Sequence, residues 1–130
     1  MDKFRVLVVD DELDFLETII KRLQARNINV MGAESGRQAL ELMAEKDFDV
    51  VILDVKMPGM DGIEALREMK KRKPLVEVIL LTGHASVESG IQGMQLGAFD
   101  YVMKPVALDE LLEKMRQAYE RKLVQEGQPQ

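Results

Sequence analysis

Short runs of mostly apolar residues constrain the fold of this chain more than any other feature of its sequence. Three clear runs cover residues 4–9, 50–53 and 76–81, and two shorter ones cover residues 28–31 and 99–103. A strand with one solvated face alternates between apolar and polar residues, whereas a parallel strand that is covered on both faces is apolar almost throughout. The runs therefore predict five buried parallel strands.

The segments between these runs carry apolar residues at the three- and four-residue spacing of amphipathic helices. The last segment has the clearest stripe, formed by Leu108, Leu111, Leu112, Met115, Tyr119 and Leu123. The first segment has a shorter stripe, formed by Leu13, Leu16, Ile20 and Leu23. Strands that alternate with helices predict an α/β fold of the flavodoxin-like, doubly wound (βα)5 type, with a five-stranded parallel sheet of order 2-1-3-4-5.

Composition fits one domain. The 130 residues are 46% hydrophobic and 32% charged, which suits a chain with a single core. We expect the domain to span residues 1–124. Residues 125–130 are polar and contain Gly127 and Pro129, so they predict a flexible tail or the start of a linker.

Charge and segment lengths exclude several classes of function. A net charge of −5 argues against nucleic-acid binding. The one basic run, residues 70–73, precedes Pro74, where cations complement the negative end of a helix. The apolar runs are too short to cross a bilayer, the start lacks a signal-peptide layout, and cysteine is absent. We therefore expect a cytoplasmic protein that binds neither membranes nor nucleic acid.

Polar side chains follow the predicted strands at their carboxyl ends. Asp10 and Asp11 follow the first, Asp54 the third, Thr82 the fourth and Lys104 the fifth. In open α/β sheets, ligands bind beyond these ends, where the strand order reverses. With order 2-1-3-4-5 the reversal falls between strands one and three, so the three acids are expected to converge there.

Converging acids need a cation, because three carboxylates repel one another. An all-oxygen site favours Mg²⁺ or Mn²⁺ over zinc. A hydroxyl from Thr82 and an ammonium from Lys104 would then form a cradle for phosphoryl oxygens beside Asp54. The pattern indicates that Asp54 is a nucleophile that forms an aspartyl phosphate.

Each of these residues also has an ordinary explanation when it is considered alone. An Asp-Asp-Glu triplet is usually a helix N-cap with a solvated first turn, and Asp54 could support the turn at residues 57–59. A threonine after a strand is most often a turn residue. Only the joint placement at four strand ends indicates function.

Four stretches resemble the receiver domain of bacterial response regulators. They are VLVVDDE (6–12), VVILDVKMPGMDG (50–62), LLTGHA (80–85) and GAFDYVMKP (97–105), and the resemblance covers residues 3–124. The last two are similar to receivers of sigma-54-dependent transcriptional activators. The resemblance implies two-component signalling, in which Asp54 takes a phosphoryl group from a sensor histidine kinase or phosphotransfer protein.

The resemblance also implies a metal site. Asp11 and Asp54 would bind Mg²⁺ directly, together with the backbone carbonyl of Lys56, and Asp10 would help through water. Lys56 and His84 would lie beside the phosphoryl group. We hypothesise that Lys56 obstructs the hydrolytic water, with a solvated lysine as the alternative, and His84 is expected at the rim rather than on the metal.

The resemblance also implies roles for the residues around the phosphoryl group. Thr82 and Lys104 would hold the phosphoryl oxygens, and Gly83 would leave room beside them. The Lys104–Pro105 peptide would be cis. Tyr101 would move inward when Thr82 is drawn to the phosphate. A homodimer through helix four, strand five and helix five is a further family expectation.

Two elements carry finer hypotheses. Phe15 and Ile19 lie off the main stripe of the first helix, in the neighbourhood that contacts the kinase in this family, with ordinary core as the alternative. Helix four, at about residues 87–96, contains Gly90 and Gly93, each of which costs about 1 kcal/mol in a helix. We hypothesise that this helix is marginal and shifts on activation, with simple packing as the alternative.

Two other functions compete with a phosphorylated switch that acts only on itself. An aspartate-nucleophile phosphatase of the haloacid dehalogenase type would carry an Asp two residues after the nucleophile, where this chain has Lys56. A degenerate receiver that only mediates contacts would not need the complete set of acids, threonine and lysine.

Overall fold

A computed structural model of the chain describes residues 4–57, 60–83 and 87–127. Strands and helices alternate along these residues, as the sequence predicts. The strands are β1 (Arg5–Val9), β2 (Asn29–Ala33), β3 (Val50–Asp54), β4 (Glu77–Thr82) and β5 (Asp100–Met103). The helices are α1 (Leu13–Gln24), α2 (Gly36–Glu45), α3 (Gly62–Arg72), α4 (Val87–Gln95) and α5 (Leu108–Gln125).

The strands form one parallel sheet in the order β2-β1-β3-β4-β5. This confirms the predicted fold class. Three predicted carboxyl ends were wrong. Asp54 and Thr82 are the last residues of β3 and β4 rather than the residues after them, and β2 continues two residues past the predicted end at Met31, to Ala33. Asp54 is in register with Leu81 on β4, and Thr82 is in register with Met103 on β5, so the strand pairing continues through both positions.

The three central strands, β1, β3 and β4, are buried on both faces, whereas the edge strands β2 and β5 are only partly buried, so the prediction of five buried strands was wrong at the two edges. Along β3, Val51 and Leu53 belong to the core layer with α2 and α3, while Val50 and Ile52 belong to the layer with α1 and α5. Successive side chains of a strand point to opposite faces, so each layer needs its own apolar residue at every second position.

Helix α1 buries Leu16 and Leu23 of the predicted stripe and packs Ile20 against the same core, but it exposes Leu13. Its buried residues are Leu16, Ile19 and Leu23, whereas Leu13 is 51% exposed. Leu13 is the first residue of the helix and follows the loop at the carboxyl end of β1, so it has little of the sheet to pack against. Ile19 is part of the core and not off the stripe.

Helix α4 lies close to β4 because of one glycine. A β-carbon at Gly93 would come within 2.2 Å of Leu80 Cδ1, so a side chain there would require the buried Leu80 side chain or the helix to shift. At Gly90 the nearest atom would be Thr82 Cγ2 at 3.4 Å, an ordinary contact. Packing therefore explains Gly93 without a need for a marginal helix.

The first residue of β4, Glu77, is a buried charge that the sequence did not predict. Glu77 is fully buried and accepts hydrogen bonds from Nε and Nη2 of Arg121 on α5, the second at 2.7 Å. Lys70 Nζ lies 3.8 Å from the same carboxylate, and the guanidinium of Arg121 lies 4.7 Å above the ring of Phe99. These contacts attach α5 to the sheet at the end opposite the acids.

The sequence also predicted a polar tail after residue 124 and no membrane-spanning segment. Helix α5 ends at Gln125, inside the predicted tail, while residues 128–130 lie outside the described part, so the domain boundary stays a prediction. Among the described residues, no helix has the length and apolar character that a membrane span requires.

Candidate functional site

The three acids predicted at the strand ends converge. Val9 and Leu53 are register partners in the β1–β3 ladder, so the next residues, Asp10 and Asp54, come side by side. One carboxylate oxygen each from Asp10, Asp11 and Asp54 lies within 4.8 Å of the others. Asp10 is fully buried and Asp54 is 6% exposed, whereas Asp11 is exposed. The site lies at the predicted reversal of strand order.

The donor set fits a small hard cation. It consists of carboxylate oxygens, and the open side next to exposed Asp11 leaves positions for water. Mg²⁺ prefers oxygen ligands and usually retains several waters, whereas zinc prefers imidazole or thiolate. The chain has no cysteine, and its single histidine, His84, lies outside the described residues.

Asp10 is anchored from three directions. Its backbone N–H donates to the carbonyl of Ala33 at 3.1 Å, and its Oδ1 accepts a hydrogen bond from the N–H of Glu12 at 2.9 Å. Its Oδ2 accepts one from Nζ of Lys104 at 2.8 Å. These bonds compensate for the burial of a charge that would otherwise be costly.

Lys104 spans the site. Its Nζ lies 2.8 Å from Asp10 Oδ2, 3.2 Å from Glu12 Oε1 and 3.8 Å from Asp54 Oδ1. The same nitrogen lies 4.6 Å from the ring centroid of Phe15 on α1. The contacts of Lys104 with Glu12 and Phe15 were not predicted from the sequence, since both depend on where α1 begins.

The electrostatics of the site disfavour a charged Asp54. Burial, and then the charge of Asp10, raise the pKa of Asp54 from its ordinary 3.8 to about 6, although Lys104 and the N–H of Lys56 oppose the shift. That N–H donates to Asp54 Oδ1 at 3.3 Å. Burial lowers the pKa of Lys104, but the hydrogen bond to Asp10 and the charge of Asp54 outweigh it, so the pKa is raised. A divalent cation would relieve the repulsion among the acids.

Thr82 is buried beside a small cavity. It is 2% exposed, and its Oγ1 donates to Sδ of Met103 at 3.1 Å. Its backbone carbonyl accepts a hydrogen bond from the N–H of Lys104 at 2.7 Å, which ties β4 to the residue after β5. A cavity of about 190 Å³ opens next to it, lined by Thr82, Gly90, Ile91, Met94, Tyr101 and Met103. Tyr101 is 44% exposed at the mouth of this cavity.

Four further features were predicted around the site: Gly83, the Lys104–Pro105 peptide, Lys56 and His84. A β-carbon at Gly83 would meet no atom of the described residues within 4 Å. The Lys104–Pro105 peptide is cis, as expected. The side chain of Lys56 is exposed. His84 lies outside the described residues, so its rim position stays a prediction.

The two residues predicted to dock a kinase differ in exposure. Ile19 is 4% exposed and packs in the core, so it offers almost no surface to a partner. Phe15 is half-buried near Lys104. The docking hypothesis is therefore kept for Phe15 alone.

Comparison with known proteins adds independent information. A family model described as the response regulator receiver domain matches residues 6–116. The transcriptional regulatory protein ZraR of Escherichia coli (strain K12) is 39% identical over 117 residues, which cover 90% of this chain and 26% of ZraR. Regulatory protein AtoC of the same strain is 43% identical over 107 residues, which cover 82% of this chain and 23% of AtoC. The chain thus spans about a quarter of the length of these relatives.

Solved structures show the same architecture. A response regulator receiver domain protein from Clostridium thermocellum superposes with a TM-score of 0.89 at 38% identity, covering 93% of this chain and 98% of that one. The receiver domain of NtrX from Brucella abortus superposes with a TM-score of 0.84 at 30% identity, covering 88% of this chain and 98% of that one.

Proposed function

The chain belongs to the response regulator receiver domain family, and from this premise we propose that Asp54 accepts a phosphoryl group from a histidine kinase or phosphotransfer protein. The observation that carries the proposal is the convergence of Asp10, Asp11 and Asp54 within 4.8 Å, with Nζ of Lys104 3.8 Å from Asp54. One site thus contains the acids that would hold a cation, the carboxylate that would act as the nucleophile and the amine that would bind phosphoryl oxygens.

The transfer step forms one bond and breaks another. A carboxylate oxygen of Asp54 attacks the phosphorus of a phosphohistidine, an O–P bond forms, the N–P bond breaks, and the histidine nitrogen takes a proton from solvent. Hydrolysis later returns Asp54 and inorganic phosphate when water attacks the same phosphorus. Beyond these two reactions on itself, we assign the chain no enzymatic activity. The nucleophile is the deprotonated carboxylate, so a cation or an amine that keeps Asp54 deprotonated at neutral pH assists the reaction.

Asp10, Asp11, Asp54 and the backbone carbonyl of Lys56 would hold Mg²⁺ or Mn²⁺. When bound, the cation neutralises charge that develops on the transferring phosphoryl oxygens. Asp10 contributes as a buried anchor that is already oriented by the N–H of Glu12.

Lys104 is placed to assist on the other side of Asp54. Its ammonium is held by Asp10 at 2.8 Å and needs only a short movement to reach a phosphoryl oxygen on Asp54. The ring of Phe15 lies against it and limits its freedom. An ammonium close to a phosphoryl group forms charge-assisted hydrogen bonds that stabilise the acyl phosphate.

Switching is proposed to begin at Thr82. An added phosphoryl group brings about two negative charges and three acceptor oxygens, and it attracts the hydroxyl of Thr82. Movement of that hydroxyl frees space next to the 190 Å³ cavity, into which the ring of Tyr101 can turn. The exposed side chains of Ile91, Met94 and Tyr101 lie on the α4-β5-α5 face, which we propose changes shape and can pair two copies of the chain.

The relatives that match are named as transcriptional regulators, and the chain covers about a quarter of them. We propose that the receiver domain controls such an output in the cytoplasm. DNA contact is assigned to other parts of those proteins, because the net charge of this chain is −5.

The proposal is tested with Mg²⁺ and acetyl phosphate. The unaltered protein should gain one acid-stable, base-labile phosphoryl group by intact mass, and Asp54→Asn should gain none. Asp47→Asn is the matched control, because Asp47 is exposed and pairs with Lys73. Labelling of Asp54→Asn at the rate of the unaltered protein would overturn the proposal. Steady release of phosphate from many esters would favour a phosphatase, and no labelling at all would favour a contact-only scaffold.

A further inference from the structure

Thr82 and Met103 are partners across the last ladder of the sheet. Their α-carbons are in register between β4 and β5, and Thr82 Oγ1 donates to Met103 Sδ at 3.1 Å. Thr82 is 2% exposed, so the thioether is what satisfies its hydroxyl. Within the described residues, no hydrogen bond joins this hydroxyl to Asp54.

A threonine hydroxyl carries one proton and can donate it to one acceptor at a time. In the proposed switch, that proton goes to a phosphoryl oxygen on Asp54. Donation to Met103 and donation to the phosphoryl group therefore exclude each other. The bond to Met103 belongs to the unphosphorylated state.

We propose that Met103 is a positioning residue that holds the hydroxyl of Thr82 in its resting orientation. The inference rests on the proposed function of Asp54, because the competing acceptor is the group that Asp54 receives. A thioether is a weak acceptor, whereas a phosphoryl oxygen is charged and forms a stronger bond. Met103 therefore holds the hydroxyl of Thr82 in the resting state but releases it when a phosphoryl group is present.

The position of Met103 connects this release to the cavity. Met103 and Tyr101 are two residues apart on β5, so their side chains lie on the same face of the sheet. Both line the 190 Å³ cavity together with Thr82. Breakage of the bond between Thr82 and Met103 thus occurs in the wall of the space that Tyr101 would enter.

The test measures the affinity of the full chain for beryllofluoride, a mimic of the phosphoryl group, in saturating Mg²⁺. Met103→Leu keeps the volume but removes the acceptor, so it should bind beryllofluoride about threefold more tightly. Met103→Gln supplies a stronger oxygen acceptor at similar length, so it should bind about threefold more weakly. Met31→Leu, which alters a partly buried methionine on β2 that does not line the cavity, should match the unaltered protein.

A background without the hydroxyl separates positioning from packing. In Thr82→Val the effects of both Met103 substitutions should vanish, because no proton remains to be held. If a Met103 variant fails to fold, the methyl resonance of Met103 serves instead: beryllofluoride should shift it in the unaltered protein and leave it in place in Thr82→Val.

Three results would count against the assignment. Unchanged affinity in Met103→Leu, equal changes of one sign in both variants, or persistence of the effects in Thr82→Val would overturn the role of Met103 alone. Failure of the unaltered protein to bind beryllofluoride with Mg²⁺ would instead overturn the proposed function of Asp54.

Discussion

The ammonium of Lys104 is closer to Asp10 than to Asp54: Nζ lies 2.8 Å from Asp10 Oδ2 and 3.8 Å from Asp54 Oδ1. The amine that is proposed to bind the phosphoryl group is therefore held, before phosphorylation, by an acid of the metal cluster. A cation and Lys104 compete for Asp10, because both neutralise the same carboxylate.

Removal of Lys104 should therefore strengthen Mg²⁺ binding. Lys104→Met keeps the aliphatic stem beside Phe15 but deletes the charge, and the affinity for Mg²⁺ should rise roughly tenfold. Calorimetric titration at low salt measures this. Lys114→Met is the control, since Lys114 pairs with Asp100 rather than with the cluster. An affinity in Lys104→Met equal to that of the control would show that the amine does not compete.

Neutralisation of Asp54 should stabilise the metal-free protein at neutral pH. The pKa of Asp54 is about 6 when folded and 3.8 ordinarily, so the folded state holds this proton more tightly. A raised acid pKa favours folding at low pH and penalises it fully above about pH 6, by up to about 3 kcal/mol. Asp54→Asn removes that penalty, so its free energy of unfolding should exceed that of the unaltered protein.

The advantage of Asp54→Asn should depend on pH and on Mg²⁺. Urea unfolding in a chelator should show the full gain at pH 7.5 and about half of it at pH 5, where the folded carboxyl is protonated. Mg²⁺ should narrow the gap by stabilising the unaltered protein more than the variant, which keeps only Asp10 and Asp11 of the acidic cluster. A gain that stays constant from pH 7.5 to pH 5 would contradict the raised pKa. Asp47→Asn provides the exposed control.

Replacement of Lys56 should shorten the phosphorylated lifetime. Its N–H donates to Asp54 Oδ1 while its side chain is exposed, so the side chain can cover the approach of water to Asp54. Lys56→Asn should lose the acyl phosphate about threefold faster, a small steric effect on one barrier. Loss of phosphoryl group is followed by mass after removal of acetyl phosphate. Lys71→Asn, an exposed lysine on α3, is the control, and equal lifetimes in the two variants would end the hypothesis.

Truncation of Phe15 should affect the protein donor more than the small one. If Phe15 contacts the kinase, Phe15→Ala should slow transfer from a purified phosphorylated kinase about tenfold, the loss expected of one apolar anchor. Labelling by acetyl phosphate should stay within about twofold, because it needs no docking surface. Leu13→Ala, an exposed position on the same helix, shows how local the effect is. Equal losses with both donors would indicate that Phe15 acts on Lys104 instead.

Loss of Arg121 should destabilise the fold far from the acids. Among the residues that the structure describes, Arg121→Leu leaves the buried carboxylate of Glu77 with Lys70, at 3.8 Å, as its one remaining cation. The free energy of unfolding should fall by about 2 kcal/mol, a value discounted because Arg121 is partly exposed. The double variant Glu77→Leu with Arg121→Leu should recover part of the loss in urea unfolding. A double variant that is less stable than Arg121→Leu would show that the carboxylate is not the cause.

The sequence alone predicted the strands and the acids because both signals are local. Continuous apolar runs specify buried parallel strands, and Asp10, Asp11 and Asp54 come directly at the ends of two of them. Once the strand order places β1 beside β3, their convergence follows from the register of the ladder.

Which side chains meet across the elements was decided only by the tertiary structure. Lys104 and Asp10, which form an ion pair, are 94 positions apart in the sequence. Thr82 and Met103, which form a hydrogen bond, are 21 positions apart. No sequence pattern indicates either pairing. The same holds for the burial of Ile19, which depends on how α1 is rotated against the sheet. Spacing along a chain specifies which face of an element is apolar, but contacts between elements depend on packing that exists only in the folded protein.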